Sequence, residues 1–108
     1  MTATQDLPAV RRAFARRIMV AAGRESAPVE RAFATVARED FIGPGPWQVL
    51  RAGGYAPTPN ADPAHLYDDA PVALIPERSL NNGQPSFHVL LLCAASLKPG
   101  AAIVHVGA

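Results

Sequence analysis

The run Ala101-Ala102-Ile103-Val104-His105-Val106 passes straight into Gly107, and this junction constrains the fold more than any other feature of the chain. An apolar run with Ile and Val at its centre reads as a buried strand. A glycine at the end of such a strand lets backbone approach a ligand closely. Nucleotide- and cofactor-binding α/β folds open their first strand-to-helix turn in this way. One glycine of such a turn precedes the final Ala108. The expectation is an α/β chain that stops at the threshold of a cofactor site.

The remaining bulk properties narrow the class. The chain has 108 residues, enough for one small domain with a modest core, and its 49% hydrophobic content belongs to a globular chain. A net charge of +1 gives no polyelectrolyte signature, so no nucleic-acid partner is expected. The longest uninterrupted apolar stretch, Val89 to Ala95, is far too short to span a bilayer, and no membrane partner is expected. The arginines near the N-terminus weakly resemble a transit peptide. Asp6 and the helical pattern that follows favour a folded helix instead. Cys93 is the single cysteine; it has no internal partner, and a reducing cytoplasm is the default.

Residues 8–22 read as a helix, with Pro8 early, an apolar stripe of Val10, Phe14, Ile18, Ala21 and Ala22, and Gly23 as C-cap. Arg11, Arg12, Arg16 and Arg17 read as a solvated face in preference to an anion-binding one. A second helix is predicted from Pro28 to Val36, capped near Ser26, with Val29, Ala32, Phe33 and Val36 buried. The two make a helical hairpin. Residues 43–66 are rich in Gly, Pro, Asn and Asp and read as mostly loop, with one helical turn near Trp47 to Arg51. A long ordered loop usually covers or builds a site. Trp47 and Tyr55 either pin it to the core, the favoured reading, or serve as binding aromatics. Val72 to Ile75 reads as a short strand and Asn81 to Gln84 as a turn. Pro85 opens a helix to about Leu97, apolar nearly all round and therefore buried on most sides. Three segments result: an N-terminal helical segment (1–42), an irregular loop-rich segment (43–79) and the start of a core (80–108).

Residues with chemical potential are few. His65, His88, His105 and Cys93 lack the close paired spacing of metal ligands, so no metal is expected. His65 with Asp68 and Asp69 is the one local cluster, and such acids usually form turns or caps. Cys93 in an apolar helix suits a packed thiol. Ser86, in the first turn of its helix, suits a cap. The unit from Asn81 onward is stronger: it sets a turn and a helix N-terminus at one point, where free amides and the dipole attract carboxylate or phosphate. His88 lies in that first turn. A neutral hydrogen-bonding role and a packed histidine with a local partner both satisfy its position.

Arg38-Glu39-Asp40-Phe41, Leu66-Tyr67-Asp68-Asp69, Asn82-Gly83-Gln84-Pro85, Leu97-Lys98-Pro99-Gly100 and Ile103 to Gly107 occur in this order. The succession, from about Ala13 onward, resembles the N-terminal half of the protein-L-isoaspartate O-methyltransferases. That family has an Arg-x-x-Phe motif, a Tyr-x-Asp segment and a Thr-Ile-Ser-x-Pro-x-x-His loop. A helix, Leu-Lys-Pro-Gly and a strand into a glycine turn follow. Pro85 stands fifteen residues before Gly100, the family separation. The resemblance implies the first strand of a Rossmann-like S-adenosylmethionine-dependent methyltransferase fold, truncated, with the N-terminal helical segment attached. It implies S-adenosylmethionine as cofactor, contacted by Leu80, Asn81, Asn82, Gly83, His88 and Gly107. It implies methyl transfer to the isoaspartyl carboxylate of a protein or peptide.

This sequence departs from the pattern in places that matter. Asn81 stands at the family threonine position, and Gly83 at the serine position often treated as catalytic. His105 replaces the acid before the glycine turn. Glycine brings no hydroxyl, so a relative with another methyl acceptor is the alternative. A truncated, non-catalytic interaction module is a further one. Half a doubly wound fold leaves a strand edge and a helix face uncovered. The 108 residues alone are therefore expected to be poorly stable and inactive.

Overall fold

A computed structural model describes residues 6–106. It is a small mixed α/β arrangement of three α-helices and two two-stranded antiparallel sheets. Helix α1 spans Leu7–Ala22. The Asp6 carboxylate accepts from the Ala9 amide at its start. At its end Gly23 adopts a left-handed conformation (φ 64°). There the Gly23 and Arg24 amides reach back to the Val20 and Met19 carbonyls, which satisfies the last turn. Phe14, Ala15, Ile18 and Met19 are fully buried. The predicted stripe is thus correct at Phe14 and Ile18, partial at Val10 and Ala22, wrong at Ala21, which is exposed, and misses Met19.

Helix α2 spans Ala27–Thr35 with Ser26 as its cap, accepting from the Val29 amide at 3.3 Å. It packs against α1, and Phe33 meets Phe14 edge to face. Its predicted buried stripe is only half realised. Val29 and Phe33 lean on the core, whereas Ala32 and Val36 are exposed.

The loop-rich segment holds more order than its composition suggests. Strands β1 (Gln48–Arg51) and β2 (Gly54–Pro57) form a hairpin, Val49 opposite Ala56. The helical turn expected near Trp47 to Arg51 is therefore a strand. The two-residue connection Ala52-Gly53, followed by Gly54, supplies the hairpin turn. Trp47 pins the preceding loop as anticipated. Its indole is buried and donates to the Gly43 carbonyl at 3.0 Å. A Cβ on Gly45 would lie 2.9 Å from that ring. Thr58 exchanges bonds with the Trp47 backbone and extends the ladder.

The predicted strand near Val72 forms as β3 (Ala73–Ile75), paired with β4 (Leu80–Asn81). Val72 itself bridges to Val49 and joins the two hairpins. Helix α3 spans Pro85–Ala95 and ends two residues before the expected Leu97, at Ser96 in a left-handed conformation. It is not buried on most sides. Val89 is fully buried and Pro85 buried, while Phe87 is 55% and Leu91 47% exposed.

The expected strand at 101–106 does not form. These residues have no regular structure and stand exposed, Val104 at 87% and Val106 at 88%. An apolar run makes a strand only when a neighbour takes its N–H and C=O groups. Among the described residues no strand lies beside it. Gly107 lies outside the described residues. The core is the set Phe14, Ile18, Met19, Trp47, Val49, Leu66, Tyr67, Ala70, Val72 and Val89.

Candidate functional site

Val72 anchors the site. Its bridge to Val49 fixes its backbone in the core, and its free edge then clamps Asn82. The Asn82 amide donates to the Val72 carbonyl at 3.1 Å, and the Val72 amide donates to Asn82 Oδ1 at 2.8 Å. Asn81 turns the chain: its Oδ1 accepts from the Gly83 amide at 2.9 Å, a side-chain-closed turn. Asn81 Nδ2 donates to the Tyr55 hydroxyl at 2.9 Å, which is how Tyr55 ties β2 to the loop. The structure therefore sets Asn82 and Gly83, directly after β4 (Leu80–Asn81), into one side-chain-closed unit with Asn81.

His88 closes that turn from α3. Its Nε2 lies 2.9 Å from the Asn82 carbonyl. A carbonyl only accepts, so Nε2 carries the proton. A local partner and a hydrogen-bonding role thus coincide at this residue. The ring presses against Gly83 so closely that a Cβ there would sit 2.5 Å from Nε2. Gly83 also has φ of +82°, a region that L side chains rarely enter. Two independent constraints select glycine at this position.

The anion-binding potential of the α3 N-terminus is already used. Asp69 accepts from the Ser86 amide at 2.7 Å through Oδ1 and from Gln84 Nε2 at 3.3 Å through Oδ2. An internal carboxylate thus sits where a ligand's carboxylate was expected. Ser86 contributes its amide to that cap and is not itself the capping residue. The Asn82 and Gly83 amides donate to the Val72 carbonyl and to Asn81 Oδ1, so these two are not the free amides expected of the turn.

A second polar cluster holds the helical segment to the core. The Tyr67 hydroxyl donates to Glu39 Oε1, accepts from Arg11 Nε at 2.9 Å and accepts from the Arg38 amide at 3.1 Å. Arg11 also pairs with Glu39 at 2.7 Å. Arg38 donates to the Leu66 and Asp68 carbonyls, and Arg17 to the Tyr67 carbonyl. Arg11 therefore departs from the expected solvated face, whereas Arg12, Arg16 and Arg17 are exposed, Arg17 with its guanidinium tip on the Tyr67 carbonyl. Arg16 meets Glu30 in an exposed pair. Burial alone would raise the Glu39 carboxyl, but hydrogen bonds from Tyr67 and its own backbone, with Arg11, hold it below its ordinary value. Burial, then the bond to Glu39, pushes the Tyr67 phenol up.

The expected local cluster of His65, Asp68 and Asp69 disperses. His65 bonds to Asn60, Asp68 to Arg51, and Asp69 to α3. Among the described residues no group of three or more His, Cys, Asp or Glu side chains is disposed to hold a metal. Cys93 packs half-buried against the core. Beside His88 an open groove of about 440 Å³ runs between α3 and the 103–105 segment. Its walls include Phe33, Leu91, Ile103 and Val104, and His105 meets His88 edge to face at 5.5 Å. Of the described residues that the resemblance implies for the cofactor, His88 alone lines this groove.

Sequence reasoning did not find the Tyr67 hub or the Asp69 cap. Their partners lie 15 to 56 residues away along the chain, and no local pattern marks such pairings. Among the described residues no helix is long and apolar enough to cross a membrane. Compared with protein-family models, curated proteins and solved structures, the chain matches none.

Proposed function

We propose that this chain is the N-terminal part of an S-adenosylmethionine-dependent methyltransferase, acting in the cytoplasm on the isoaspartyl carboxylate of proteins or peptides. The finer fold that goes with this reading is Rossmann-like, with residues 101–106 as its first core strand. One observation carries it. The segment Leu66 to Asp69 hydrogen-bonds on one side to Arg38 and Glu39 and on the other to Gln84 and Ser86. Three motifs that carry the resemblance, spread over nearly fifty residues, are thus physically one unit.

The donor set suits the cofactor in part. The loop amides are committed within the chain, so a group resting here is not held by them. What stays available is the flat face of the His88 ring, its Nε2 being held by the Asn82 carbonyl, and the apolar walls of the groove, which suit a flat, weakly polar surface. When bound, S-adenosylmethionine supplies an electrophilic methyl carbon. The chain's own contribution is positioning, the larger part of what such a transfer requires. Asn81 and Val72 fix the turn, Gly83 lets His88 pack against it, and Asp69 sets the start of α3.

A second reading, a relative with a different methyl acceptor, is favoured by Gly83. The position has no hydroxyl, and His88 fills the space a side chain would take. The assay is transfer of labelled methyl from S-adenosylmethionine by the protein purified from its own cells. An isoaspartyl peptide and its aspartyl counterpart are the acceptors. Base-labile label on the first alone supports the reading; label on another carboxylate supports the second. No transfer to any acceptor overturns both. Gly83→Val abolishes transfer, and unchanged turnover removes the role assigned to this turn.

A further inference from the structure

We propose that the cleft between α1 and α2 docks an acidic polypeptide segment, with Arg12 and Arg31 as its anchors. Charge is segregated along this chain. Residues 7–35 hold six of the ten Lys and Arg but two of the nine Asp and Glu, and α1 contains no acid. The outer side of α1, made of Arg12, Ala13, Arg16, Arg17, Val20 and Ala21, is exposed throughout. Most of the arginines of the hairpin already have partners. Arg11 is drawn inward by Tyr67 and Glu39, the Arg17 tip rests on the Tyr67 carbonyl, and Arg16 pairs with Glu30 at 2.9 Å. Arg12 and Arg31 meet no carboxylate among the described residues. Both line one open cleft of about 340 Å³, together with Ala27, Glu30 and Ala34.

An unpaired guanidinium offers its N–H donors in a planar fork that fits a carboxylate. Ala27 and Ala34 present only methyl groups, which leaves space for a side chain from outside. Ala27 is also the first residue of α2, where the helix dipole is positive. Glu30 decides the class of partner. Its Oε1 is held by Arg16, and its Oε2 accepts from no group among the described residues. That oxygen can accept the N–H of a peptide backbone. A phosphodiester backbone has no N–H to offer and meets Glu30 as a like charge. No aromatic side chain lines the cleft to stack a base, and no large apolar one lines it to enter a bilayer. None of these residues lines the groove beside His88, so the docking surface is independent of methyl transfer.

The test adds poly-L-glutamate to the full chain at about 150 mM salt, where charges more than about 8 Å apart are screened and close contacts persist. Because the chain as a whole is close to neutral, binding there must come from a local patch. Amide NMR shifts should gather at Arg12 to Ala21 and Ala27 to Ala34. Arg12→Ala combined with Arg31→Ala should weaken binding about fivefold, the loss of two exposed ion pairs, with the circular dichroism spectrum unchanged. Arg78→Ala combined with Lys98→Ala removes the same charge outside the hairpin and should leave binding as it was. An absence of shifts, equal losses in the two double variants, or tighter binding of polyuridylate or of phosphatidylserine vesicles would overturn the inference.

Discussion

Gly83→Ser restores the hydroxyl that the resemblance expects and should damage the fold. The serine would take φ near +82°, which costs an L residue about 1–2 kcal/mol. Its Cβ would stand 2.5 Å from His88 Nε2, so the imidazole must withdraw. The bond to the Asn82 carbonyl then goes, at about 1 kcal/mol. The sum is about 2–3 kcal/mol, or roughly 10–20 °C in the thermal midpoint of a domain this size. Urea unfolding of the wild type, Gly83→Ser, His88→Ala and the double variant separates the two terms. In the His88→Ala background the ring is gone, and serine should cost only the backbone part. The coupling between the two sites should be about 1 kcal/mol. Equal cost in both backgrounds would show that His88 does not fill the space beside Gly83. No cost in either would refute the backbone argument as well.

Three further outcomes follow from the polar contacts. Tyr67→Phe removes the hydroxyl that the Arg38 amide, Arg11 and Glu39 share, and chemical denaturation should show a loss of about 1–3 kcal/mol; an unchanged midpoint contradicts the hub. Asp69→Ala uncaps α3 and should cost about 1–2 kcal/mol, with the Ser86 amide exchanging faster with deuterium; unaltered exchange contradicts the cap. The folded Glu39 carboxyl lies below its ordinary value of 4.5, so its contribution is present above that pH and is lost as pH falls through the lower folded value. Acid unfolding followed by circular dichroism should therefore be less steep for Glu39→Gln, and identical acid limbs would contradict the assignment.

What was legible in the sequence is what short-range chemistry controls. Ser26 and Gly23 mark helix ends because capping needs residues only a few positions apart. Pro85 marks the start of α3 for the same reason. The β1–β2 hairpin was legible in principle from Gly53-Gly54, but the prolines and glycines around it outweighed that signal. Two expectations failed because composition does not state what lies alongside. The apolar run at 101–106 forms no strand without a neighbour, and the all-round apolar α3 keeps Phe87 and Leu91 exposed. In the candidate site the loop 80–83 and His88 were legible from the order of motifs. The commitment of their amides to Asn81, Val72 and Asp69 was not, since each bond is a property of the folded backbone.

The proposed reading seats S-adenosylmethionine in the groove beside His88, next to the turn at 80–83. Amide and imidazole NMR of the chain titrated with S-adenosylmethionine tests it most directly. The account predicts shifts concentrated at His88 and the groove residues Leu91 and Ile103, with the adjoining turn Leu80 to Gly83 following. Unmoved resonances at millimolar cofactor, or shifts confined to other parts of the chain, would contradict it.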